Sequence, residues 1–191
     1  MKKRLILFLM VIGIVGGFFH YDIQKTMEDE PKKLISDFLE SYFNVSLKEA
    51  KKRMSENDLD MPMKEFFTKE GYENAVRDTY SLMLCEFASS FRTDIRLIDQ
   101  EIILSYDSEV KRYDFCVILE FDSISESDAF KYHMNIQKNR NGTKITDEMK
   151  GYIDLVEMEP GYKICSLKIQ GAEGQCHLVK TLSRCIPIRQ R

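Results

Sequence analysis

The chain has no tryptophan, three histidines in 191 residues, and no acidic residue before Asp22. So few histidines leave little for acid-base catalysis: His20 abuts an apolar start, His177 lies near the C-terminus, and alternation puts His133 on the solvent side of a strand pattern. A glycine-rich phosphate loop, a Gly-x-Ser-x-Gly elbow and a His-Glu-x-x-His helix are all missing, which removes the commonest signatures of nucleotide, acyl-transfer and zinc-protease chemistry. Cysteine is present but odd in number. Cys85, Cys116, Cys165, Cys176 and Cys185 are spread over a chain large enough to fold without staples, so they imply no disulfide framework. Cys116 and Cys165 fall in strand-like apolar stretches as small buried hydrophobes, while Cys176 and Cys185 are placed to close a loop in an oxidising compartment. Cys176, His177 and Cys185 lack the spacing and the fourth ligand of a zinc site, and no metal or other cofactor is expected.

What is present begins at the first residue. Lys2, Lys3 and Arg4 precede an uncharged apolar run from Leu5 to Phe19, and polar His20, Tyr21 and Asp22 follow at once. That is the layout of a signal or anchor segment. As a helix the run spans roughly 22 Å, short of a hydrocarbon core of about 30 Å unless its flanks contribute. Cleavage near Val15 and Gly17 would lack an Ala-x-Ala pattern, so a signal peptide and an uncleaved anchor both stay open. The basic flank keeps the N-terminus inside in either case, and the remainder is expected outside the cytoplasm, as a single-pass membrane protein or a secreted one. The first cysteine, Cys85, lies too far along the chain for a lipoprotein anchor.

Lys2, Lys3 and Arg4 are three of the 28 basic residues, which leaves 25 against 31 acidic ones in the exported part. A nucleic-acid surface needs clustered positive charge, so no nucleic-acid partner is expected. Only the tail from Gly171 runs basic, with Lys180, Arg184, Arg189 and Arg191 against Glu173, and reads as a solvated terminus. The sequons at Asn44 and Asn141 matter only in a eukaryotic secretory pathway.

Periodicity divides the rest. Residues 24–30 read as a linker ahead of Pro31, and Leu34, Ile35, Phe38, Leu39, Tyr42 and Phe43 mark one face of a helix. Ser46 and Glu49 form a capping box for a second helix with Leu47, Ala50 and Met54 inward. The stretch 55–62 breaks it, and a third helix is predicted over about 65–89 on Tyr72, Val76, Tyr80, Leu84 and Phe87. The period then changes to two. Ile102, Leu104 and Tyr106 alternate, and Tyr113, Phe115, Val117, Leu119 and Phe121 alternate strictly against outward Asp114 and Glu120. Tyr132, Met134 and Ile136 suggest another strand, ended by an Asn-Gly turn at 139–142. Two last strands, about 150–158 and 162–169, join through Glu159, Pro160 and Gly161. Helices first and an antiparallel meander second is an α+β layout: one domain over 31–170, between the segment 1–23 and the tail 171–191, with no internal repeat.

The opening helix with Phe38, Leu39, Tyr42 and Phe43, and the closing hairpin from Gly151 to Val156 and Gly161 to Ile164, resemble the nuclear transport factor 2-like superfold. The family usually has tryptophan where Tyr162 stands. The resemblance implies helices packed into the concave side of a curved, cone-shaped antiparallel sheet. With an N-terminal anchor, it looks most like extracytoplasmic domains of bacterial conjugation and type IV secretion subunits, and like small envelope proteins of Gram-positive bacteria. The superfold hosts isomerases, dehydratases, carriers and inert assembly modules, so it assigns no catalytic residue. The leading expectation is a membrane-anchored, non-catalytic interaction module whose partners are envelope or membrane proteins. The alternatives are a domain holding a small apolar ligand in the cone, or an isomerase or hydrolase using Asp154 as base. Candidate ligand-binding residues are Phe38, Tyr42, Tyr80, Phe115 and Asp154, with packing as the competing role of the aromatics and an exposed strand position as that of Asp154.

Overall fold

A computed structural model describes residues 30–56, 63–78, 80–106, 110–131, 133–140 and 142–170; the apolar segment, most of the linker and the basic tail lie outside the described residues. Helix α1 covers residues 30–43 and buries Ile35, Phe38, Leu39, Tyr42 and Phe43 on the face that its spacing predicts. Ser46 Oγ then accepts the Glu49 N–H at 3.2 Å, and the Asp94 carboxylate accepts the Leu47 N–H, so two donors at the start of α2 (Leu47–Glu56) are satisfied. Ala50 turns inward as expected, but Met54 is 37% exposed and Arg53 is buried in its place. The inner stripe steps by three residues at that point, because the Arg53 guanidinium reaches Cys85 Sγ at 3.5 Å.

The single helix expected over 65–89 is three pieces. A 3-10 turn, Lys64–Phe66, precedes α3 (Lys69–Arg77), and α4 (Tyr80–Phe91) follows. Thr68 caps α3 by accepting the Gly71 N–H at 3.0 Å, and Asp78 closes it. The break falls at Asp78, so Gly71 is retained inside a helix. Its lack of a side chain is what α3 needs there: a Cβ at Gly71 would lie 2.6 Å from the Ile164 carbonyl oxygen.

Five antiparallel strands follow: β1 (Ile95–Ser105), β2 (Lys111–Phe121), β3 (Asn135–Asn139), β4 (Gly142–Glu157) and β5 (Tyr162–Gln170). Their order is β1-β2-β4-β3, with β5 also on β4. One flank of β4 holds β2 from Ile145 to Leu155, while the other holds β3 at one end and β5 at the other. The sheet is mixed with helices in an α+β arrangement and is not closed.

Strand β2 buries Tyr113, Phe115, Val117, Leu119 and Phe121, as its alternation predicts, with Asp114 exposed and Glu120 half-buried on the other face. Asn139 of β3 pairs with Gly142 of β4, so the chain turns where the Asn-Gly pair predicts, but β4 starts well before the expected 150, because its first half, Gly-Thr-Lys-Ile-Thr-Asp-Glu-Met, is too polar to announce itself. The pattern assigned to Tyr132, Met134 and Ile136 is strand only from Asn135. A short helix, α5 (Glu126–Lys131), occupies the preceding segment, and His133 sits exposed at a φ of 56°, in a turn and not on a strand face. Ser125 starts α5 by accepting the Asp128 N–H at 3.1 Å, a cap that the sequence reading missed. One continuous core joins α1, α4 and the inner face of the sheet.

Candidate functional site

The aromatic candidates sit where helix meets sheet. Phe38 stacks on Tyr42 with centroids 5.6 Å apart, and Phe66 and Phe67 meet Phe38 edge-on at 5.9 and 5.4 Å. Phe43 carries the chain of rings onward, touching Tyr42 at 4.8 Å and Phe115 of β2 at 6.3 Å. Phe38, Tyr42 and Phe115 are thus joined through Phe43, and all four are buried. Edge-to-face and offset contacts add about 0.5–1.5 kcal/mol per pair to the burial itself. Gly151 of β4 lies under the Phe115 ring, close enough that a Cβ there would overlap it. Tyr80 opens α4, and its side chain lies outside the described residues.

Asp154 stands apart from this cluster. Its neighbours Ile153 and Leu155 are buried under the helices, so the Asp154 side chain projects from the other face. It is nevertheless 7% exposed, not an exposed strand carboxylate, because Arg112, directly opposite on β2, lies over it. The guanidinium donates Nε to Oδ1 at 2.7 Å and Nη2 to Oδ2 at 2.9 Å, and its carbon sits 3.9 Å from the Tyr152 ring centroid. A fork-to-fork pair of this kind fixes both partners. Sequence reasoning missed Arg112, since only the β2–β4 register brings it to Asp154.

An open groove of about 430 Å³ lies between the start of α1 and the β4–β5 turn, with Leu34, Phe66, Pro160 and Tyr162 in its lining. Beside it, Lys111 Nζ is 4.5 Å from the Tyr162 ring centroid and donates to the hydroxyl at 3.3 Å. Burial raises the Cys85, Cys116 and Cys165 thiols above their ordinary range, which keeps them protonated and poor nucleophiles at neutral pH. Cys116 and Cys165 are half-buried, less enclosed than their strand positions suggested. Burial also raises Glu86. Among the described residues no group of three or more histidine, cysteine or carboxylate side chains is placed to hold a metal ion, and no helix is long and apolar enough to cross a membrane.

No family model matches the chain, and no curated protein matches it. A solved structure described as a periplasmic fragment of TraM is similar at 12% identity and a TM-score of 0.36, over 75% of this chain and 96% of that one. At that level the likeness assigns neither a shared fold nor a shared role.

Proposed function

We propose that this protein is a non-catalytic interaction module of the cell envelope, held at the membrane by residues 5–19 with its α+β domain outside the cytoplasm. In this reading the helices and sheet form a cone of the nuclear transport factor 2-like kind, and the domain meets other envelope proteins through its outer surfaces. One observation carries the reading: the aromatic side chains between helices and sheet are packed against one another, with Phe38 at 0%, Tyr42 at 4% and Phe115 at 3% exposure. A carrier or an enzyme of this shape needs room on that side. The strongest carboxylate candidate, Asp154, is engaged by Arg112 on the opposite face.

The test is to isolate the full-length protein from its native membrane in mild detergent and identify what accompanies it. The expected result is retention in the membrane after an alkaline wash, cleavage by protease added from outside, and envelope proteins in stoichiometric amount. A mature chain starting near Phe18 and released to the medium overturns the anchor. A solitary protein with a small apolar molecule seen by native mass spectrometry overturns the interaction module in favour of a carrier.

A further inference from the structure

Strand β1 ends the sheet. Its start is covered: Val45 exchanges backbone hydrogen bonds with Ile95, and Asn44 Oδ1 accepts the Leu97 N–H at 2.9 Å. Those bonds show that residues 95 and 97 turn their backbone groups away from β2. The irregularity between Leu97 and Asp99 makes Ile98 an extra residue and shifts the count by one. Gln100, Ile102 and Leu104 therefore turn their backbone groups to the edge, where the Gln100 N–H is taken by Asp99 Oδ1 at 2.9 Å. Among the described residues no strand pairs with them there.

The edge carries exposed apolar side chains alongside exposed Arg96, Asp99 and Glu101. Four of the eight large apolar side chains that the described residues leave exposed belong to this hairpin: Ile98 at 41%, Ile103 at 53%, Tyr106 at 88% and Val110 at 47%. A cleft of about 200 Å³ lined by Lys32, Ile102, Ile103, Leu104, Tyr106 and Tyr113 lies along it, past the point where Gln100 Nε2 donates to Ser36 Oγ of α1 at 2.6 Å. A long edge of this composition is a template for strand addition unless charge or a covering element blocks it.

We infer that this edge pairs with the same edge of a second copy, antiparallel, about a two-fold axis at Ile103. The sequence is self-complementary in that register. Ile103 meets Ile103, Ile102 and Leu104 exchange backbone hydrogen bonds, Glu101 faces the Ser105 hydroxyl and Gln100 faces Tyr106. No acid opposes an acid over 100–106, and the next pair, Asp99 against Asp107, limits the ladder to those seven residues. A register centred on Ile102 would set Ile103 against Glu101. This inference deepens the reading of an interaction module, on which it rests, by naming one partner, and it is tested on purified protein, independently of what accompanies it from the membrane.

The experiment is sedimentation equilibrium of the full-length chain in density-matched mild detergent over a range of concentrations, with thermal melts to check folding. Wild type is expected to dimerise reversibly. Ile103→Lys, at an exposed position, should weaken dimerisation by at least about tenfold through lost apolar contact and like-charge opposition. Phe130→Lys, also on an exposed apolar residue at 79% but on α5, should leave it unchanged. Under mild oxidant Ile103→Cys should give a linked dimer beyond the wild-type level and Glu101→Cys should not. A wild type that stays monomeric at every concentration overturns the inference, as does equal weakening by Phe130→Lys or an Ile103→Lys protein that dimerises like wild type. Edge pairing with another protein's strand would appear as a monomer that loses that partner on Ile103→Lys, which likewise overturns the second copy as occupant.

Discussion

At the residue scale, the Arg112–Asp154 pair shows how a side chain can be buried on the solvent face of a sheet. Removing the guanidinium takes away both charge-assisted hydrogen bonds to Asp154 and uncovers a carboxylate that the fold places against that one partner. Arg112→Ala is therefore expected to cost about 2–3 kcal/mol, and Arg112→Lys to recover only part of it because the fork is lost. Urea unfolding of the three proteins checks both. Glu86 makes the opposite case. Burial raises its carboxyl, so the fold holds the proton more tightly than the unfolded chain does. The penalty is fully present above the raised pKa and gone below the ordinary value of 4.5. Glu86→Gln should raise the melting midpoint at pH 7, and the gain should fade as the pH falls through the raised value and be absent below about 4.5. The burial of Asp154 was not legible in the sequence, because alternation gives a face and not what lies across from it. Phe38 and Tyr42 were legible as inward residues because a helix face is a local property, whereas the link through Phe43 to Phe115 depends on how α1 crosses β2.

At the scale of elements, what the sequence revealed depended on how apolar each strand is on its inner face. Strand β2 alternates over five large apolar residues and is plain. The first half of β4 buries Ile145, Thr146, Asp147 and Met149, two of them polar, and gave no period. The split of α3 from α4 was hidden because the apolar spacing runs through Asp78 while the caps do not. Close backbone contact makes α3 sensitive to the smallest addition. Gly71→Ala would drive a methyl group to 2.6 Å from Ile164 O and 3.0 Å from Cys165 O, both backbone atoms of β5. Overpacking of this kind should cost about 1–3 kcal/mol. Gly151→Ala, against the Lys168 carbonyl and the Phe115 ring, should be at least as damaging; both are read from the midpoint of chemical unfolding.

For the whole molecule, the α+β layout was readable because helices and strands separate along the chain, whereas the order of strands was not, since β4 serves two neighbours on one flank. The basic start carries its own expectation. Exchanging Lys2, Lys3 and Arg4 for acidic residues removes the charge bias that orients an anchor, and most of the domain should then resist protease added from outside the cell.

Strand β4 also sets a timetable. Every pairing in the sheet except β1 with β2 needs it, and its residues come last but for β5. The partners it brings together are far apart, Arg112 and Asp154 by 42 positions, and on β5, which among the described strands pairs only with it, Lys163 reaches the Glu65 carbonyl across 98. Closing such loops delays the transition state. A chain that emerges N-terminus first, from a ribosome or through a membrane pore, must therefore hold its helices and first hairpin in waiting until residue 157 is out, and its early life is that of an incomplete sheet with an apolar inner face to shield.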